Sequence, residues 1–112
     1  MSDLALKKCV PCEGKIPPLD DAAVKNYLAQ LPGWEKVNQE IVKVFPFKNY
    51  YETVAFVNAV AFIAHREDHH PDLEVSYKTC KIRFSTHAIQ GLSENDFICA
   101  AKVDALVRVT SD

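Results

Sequence analysis

Three of the chain's four histidines fall in the run His65-Arg66-Glu67-Asp68-His69-His70-Pro71, and the fourth is His87. An unperturbed imidazole titrates near pH ~6.5, so around neutrality one ring can give a proton while another takes one. Such a set suits the elimination of water, in which a leaving hydroxyl needs an acid and a neighbouring N–H or C–H needs a base. A metal offers a second reading. His65 and His69 are four apart, the spacing that sets two imidazoles on one helical face for zinc, with His70 or His87 as a third ligand. Arg66 rather than Glu follows His65, which weighs against a zinc hydrolase. The plain alternative is that each histidine merely ends an element. There is no G-x-S-x-G, and Gly14, Gly33 and Gly91 are isolated, so no phosphate-cradling loop exists.

These side chains need elements to hold them. Asp20 can cap a helix whose Val24, Tyr27, Leu28 and Leu31 form one apolar stripe, ended by Pro32-Gly33. Trp34–Val37 and Glu40–Phe47 read as strands, the second rich in β-branched and aromatic residues, with Pro46 near its end. Asn49 with Glu52 has the logic of a capping box for a helix over 50–67. That helix is apolar almost all round, with Tyr51, Val54 and Ala61 on one side and Phe56, Val60 and Ile63 on the other. Its second cover is expected to be another subunit. Pro71 disfavours helical backbone at His70, so His69 and His70 leave a helix end and enter a loop. Leu73–Lys78 and Cys80–His87 read as a hairpin that places Ser85 and His87 on its polar face. Ser93, with Asp96 three positions later, opens the last helix. The order α-β-β-α-β-β-α predicts an α+β fold of two layers, with a four-stranded antiparallel sheet covered on one face by three helices.

The chain has 112 residues, 48% of them hydrophobic and 25% charged, which is the balance of one ordinary globular domain. Its prolines and Gly14 make 1–18 an arm, leaving 19–112 as the single domain. A net charge of −2 argues against a general nucleic-acid binder. No apolar run reaches the ~20 residues of a membrane span. Residues 1–8 lack the apolar core of a secretory signal, so a cytoplasmic location is expected. Cys9 and Cys12 make only half of a zinc site. Reduced thiols are expected, with Cys80 and Cys99 in or near the core and the other two on a mobile tail.

The ordered set His69-His70-Pro71, Tyr77, His87 and Asp96 resembles the signature of the pterin-4a-carbinolamine dehydratases. The flanks agree: Leu31-Pro32-Gly33-Trp34, Phe47-Lys48-Asn49-Tyr50, Ser85-Thr86-His87 and Gly91-Leu92-Ser93-Glu94-Asn95-Asp96-Phe97. The similarity runs from Leu19 to Leu106. It departs from the family pattern at His65, Ala88 and Gln90. The resemblance implies the same α+β fold, a homodimer or homotetramer formed through helix 50–67, and dehydration of 4a-hydroxytetrahydrobiopterin to the quinonoid dihydropterin without cofactor or metal. It also implies recycling of the pterin for an aromatic amino-acid hydroxylase. His69, His70 and His87 would surround the pterin as acid, base and binding groups, without a fixed assignment among them. Asp68 to His70 and Ser85 to Ala88, through Thr86 and His87, would bind it. Asp96 would orient His87 or simply cap its helix. Some relatives also act as dimerisation partners of a transcription factor, a second class of function. Alanine at His69 or His70 is expected to abolish catalysis and spare the fold.

Overall fold

The computed structural model describes residues 4–10 and 17–110. Helix α1 spans Asp21–Leu28, strands β1 and β2 span Glu35–Val37 and Glu40–Pro46, and helix α2 spans Tyr50–Glu67. Strands β3 and β4 cover Asp72–Val75 and Thr79–Phe84, and helix α3 covers Glu94–Thr110. The four strands form one antiparallel sheet in the order β1-β2-β4-β3. The fold is the α+β arrangement that the sequence predicts.

Period-2 alternation sends Cys80, Ile82 and Phe84 of β4 and Ile41 and Phe45 of β2 into the core. Lys81 and Arg83 point the other way and pair with Glu74 across the β3–β4 ladder. The core is strongly aromatic. Phe56 of α2 lies 4.9 Å from Phe45 and 4.8 Å from Phe47, and Trp34 lies 6.0 Å from both Phe45 and Phe84.

Both predicted caps form. Asp20 accepts the N–H of Ala23 at 2.9 Å, and Asn49 accepts that of Glu52 at 2.8 Å. Glu52 reaches back one residue further than a capping box requires, to the N–H of Lys48. Removing the cap oxygen leaves an N–H of the first turn without its partner. Asn49→Ala is therefore expected to cost about 1 kcal/mol, read as a lower urea midpoint with an unchanged slope.

Helix α2 ends at Glu67, as the sequence predicts. Asp68 takes the left-handed conformation (φ 52°, ψ 44°) and closes the helix there. The N–H of His69 bonds the Ala64 carbonyl at 3.1 Å and that of Asp68 the His65 carbonyl at 3.3 Å, a Schellman closure. On its core side α2 buries Thr53, Phe56, Val60, Ala64 and Glu67, while Tyr51 and Phe62 are exposed.

The last helix carries the larger surprise. Every residue of α3 from Asn95 to Ala101 is buried. One cover is the sheet and α2. The other is the N-terminal arm, whose Leu4–Leu6 forms a short 3-10 turn with Leu4 in the core. The expectation that Cys9 rides on a mobile tail is corrected here, since its N–H is held by Glu67 and its sulfur meets Cys99. Lys102 donates to the Ala5 carbonyl at 2.8 Å. Lys7 pairs with Glu94 at 2.8 Å, and its ammonium holds the Glu94 carboxyl below the usual range. Cys12 lies outside the described residues.

Candidate active site

The hairpin turn falls a residue earlier than the pattern suggests, with Ser76 bonded to Thr79 at 2.8 Å, and β4 stops at Phe84. Thr86 and Gly91 then form an isolated bridge, and His87–Ile89 make one 3-10 turn between them. His87 therefore opens a short turn rather than ending a strand. Ser93, as predicted, stands before α3 with its N–H donated to Asp96 Oδ2 at 2.9 Å.

These local choices bring two distant segments to one cleft of about 680 Å³, within the size range of small-molecule sites. One wall is Arg66 to His70, following the left-handed end of α2. The facing wall is Ser85 to Ala88, following β4. Asp68, His69, His70, Ser85, Thr86, His87 and Ala88 thus share a single space. His70 and His87 are exposed at its rim, and His69 is largely covered. Tyr77 is not brought here. It stacks on Tyr50 at the other end of β4, by the hairpin turn.

Beneath the cleft sits Asp96, whose side chain is fully buried. Its Oδ1 lies 2.6 Å from His69 Nε2. Its Oδ2 accepts from the Thr86 hydroxyl at 2.8 Å as well as from the Ser93 N–H. The Ser93 hydroxyl meets Thr86 Oγ1 at 2.7 Å and must donate, because the Thr86 proton is already given to Asp96. The carboxylate so placed has acceptor capacity only, and His69 Nε2 supplies the proton between them. The His69 ring lies nearly parallel to Phe84, at 6.0 Å and 10°. The imidazole is held on one side by packing and at one nitrogen by a carboxylate. The alternative that Asp96 orients His87 is corrected: Asp96 caps its helix and holds His69.

The i, i+4 zinc spacing fails for a related reason. Asp68 breaks the helix between His65 and His69, so the two rings do not share a helical face. His69 Nε2 is moreover turned to Asp96. Among the described residues no three His, Cys, Asp or Glu side chains are grouped to hold a metal.

Sequence reasoning missed part of the lining. Lys8, Cys9 and Val10 of the arm, with Glu67 and Asn95, also border the cleft. Asn95 and Glu67 are buried polar residues on otherwise apolar helix faces. That mismatch was the available signal.

A family model described as pterin 4 alpha carbinolamine dehydratase matches residues 17–106. A protein of Nitrosospira multiformis, provisionally named a pterin-4-alpha-carbinolamine dehydratase, is 57% identical over 109 residues, covering 97% of this chain and 96% of its own. One from Nitrosomonas eutropha, named in the same way, is 58% identical over 106 residues, 94% of each chain. A crystal structure from Brucella melitensis, described as a transcriptional coactivator/pterin dehydratase, superposes with a TM-score of 0.77 at 30% identity, covering 80% of this chain and 97% of that one. A pterin dehydratase-like protein identified as a RuBisCO assembly factor in the alpha-carboxysome gives a TM-score of 0.55 at 26% identity, over 65% of this chain and 84% of that one. With the fold, the paired histidine walls and this match over most of its length, the chain belongs to the pterin 4 alpha carbinolamine dehydratase family.

Proposed function

We propose that the chain eliminates water from a 4a-hydroxytetrahydropterin by histidine acid–base chemistry. The observation that carries the reading is the His69–Asp96 contact at the floor of a cleft that also holds His70 and His87. With Nε2–H given to Asp96, the lone pair of His69 is on Nδ1. That nitrogen takes the proton from N5 of the pterin as the C4a–O bond breaks, and the electron pair of N5 closes the C4a=N5 double bond. The leaving hydroxyl needs a proton, and an imidazolium at His70 or His87 supplies it, so that water departs. Asp96 fixes the ring orientation and complements the positive charge that His69 gains, the role of a carboxylate behind a catalytic imidazole. Proton transfer of this kind needs no metal or cofactor.

The test is dehydration of freshly generated 4a-hydroxytetrahydropterin followed by ultraviolet absorbance, with protein that has been treated with a chelator. Acceleration over the spontaneous rate, undiminished by chelation, is expected. Activity that vanishes on chelation and returns with zinc would overturn the mechanism in favour of metal catalysis. His70→Ala and His87→Ala then divide the remaining role, the larger loss marking the acid.

A further inference from the structure

The sulfur atoms of Cys9 and Cys99 lie 3.4 Å apart, although 90 positions separate them in the chain. Their approach belongs to a built seat. Glu67 Oε1 accepts the Cys9 N–H at 2.9 Å. The Asn95 side chain accepts the Val10 N–H at 3.0 Å and returns a hydrogen bond to the Val10 carbonyl at 2.6 Å. Glu67 and Asn95 are only 9% and 4% exposed. Two buried polar side chains thus grip the backbone on either side of the Cys9 sulfur and hold it against α3.

We propose that Cys9 and Cys99 form an oxidation site, which a hydroperoxide converts to a disulfide that latches the arm to α3 beside the cleft. The two thiols differ in access, which sets the order of reaction. Cys9 is half-buried and borders the cleft, where a small peroxide can reach it. Cys99 is fully buried, and contact with the Cys9 sulfur, followed by burial, pushes its thiol well above the ordinary range. Cys9 therefore reacts first. Its thiolate attacks one peroxide oxygen, the S–O bond forms as the O–O bond breaks, and the departing oxygen takes up a proton. This leaves a sulfenic acid on Cys9. The Cys99 sulfur, already in contact, attacks the Cys9 sulfur. The S–S bond forms, the S–O bond breaks, and the hydroxyl leaves as water with the Cys99 proton. The thiols lose two electrons in all and the peroxide gains them. A disulfide has an S–S distance of ~2.05 Å, so the two sulfurs must close from 3.4 Å. The site does not depend on the pterin reading, so the two can fail separately.

The experiment treats the reduced full chain with hydrogen peroxide and maps crosslinked peptides by mass spectrometry. A Cys9–Cys99 crosslink is expected. It should persist in Cys12→Ser, vanish in Cys9→Ser and reverse with dithiothreitol. Because the bond ties off most of the chain as one loop, the oxidised protein should melt about 5 °C or more above the reduced form. Cys12 taking the place of Cys9, sulfinic acid at Cys9 with Cys99 unlinked, or a crosslink that leaves Tm unchanged would each overturn the latch.

Discussion

His69→Gln is expected to lower the enzymatic dehydration rate by about 10²–10⁴-fold, the range of a single general acid–base group. Glutamine keeps a donor for the buried Asp96 but offers no basic nitrogen to N5. The spontaneous reaction sets a floor, so the loss is best read as kcat/KM after subtraction of the uncatalysed rate. His69→Ala should lose the same chemistry and also stability, contrary to the expectation that alanine spares the fold. Its ring packs on Phe84, and its removal leaves the Asp96 Oδ1 buried without a partner. An unpaired buried group costs about 1–3 kcal/mol. The urea midpoint should fall clearly for alanine and much less for glutamine. His70→Ala, at the exposed rim, should leave the midpoint unchanged. A glutamine variant as active as wild type would remove His69 from the mechanism.

Asp96→Asn should be nearly as damaging, for a different reason. The asparagine oxygen can keep the bonds from Thr86 and Ser93, which places its amide N–H₂ toward His69 Nε2. Facing a donor, the ring must turn its lone pair to Nε2 and carry its proton on Nδ1. The nitrogen proposed as base is then blocked. The same swap behind a serine-protease histidine costs about 10⁴-fold, and a fall in kcat of at least about 10²-fold with little change in KM is expected here. Nitrogen chemical shifts of the His69 ring would report the exchanged tautomer directly. Activity within a few-fold of wild type, with the tautomer exchanged, would mean that His69 is not the base.

Local chemistry was readable in the sequence, and long-range pairing was not. The caps at Asp20 and Asn49 each depend on residues within a turn, and both form, whereas at Ser93 only the reciprocal half does: Asp96 accepts the Ser93 N–H while the Ser93 hydroxyl turns to Thr86. The alternation of β4 depends only on period 2. The partner of Asp96 lies 27 positions away. No periodicity distinguishes His69 from His87 at that distance, and capping accounted for the residue by itself. The end of α2 at Glu67 was legible, since Pro71 disfavours helical backbone just beyond it, but the left-handed turn at Asp68 that closes it was not, because aspartate only sometimes adopts that conformation. The apolar excess of α2 was read as a demand for a second cover. The same demand on α3 went unread, and there the arm meets it. Among the described arm residues only Leu4, Ala5 and Cys9 pack on the core while Leu6 stays exposed, too short a stretch to form a pattern.

The arm's seat also bears on the order in which the chain can be completed. Leu4 to Val10 are synthesised well before their partners on α3, Glu94 to Lys102. At synthesis rates of about 5–20 residues per second, the arm waits roughly 5–20 s for its binding surface to exist. During that interval the sheet, α1 and α2 can assemble, while Leu4 stays in water and α3 has yet to close the core. A nascent chain arrested before α3 emerges should therefore show the arm open to protease.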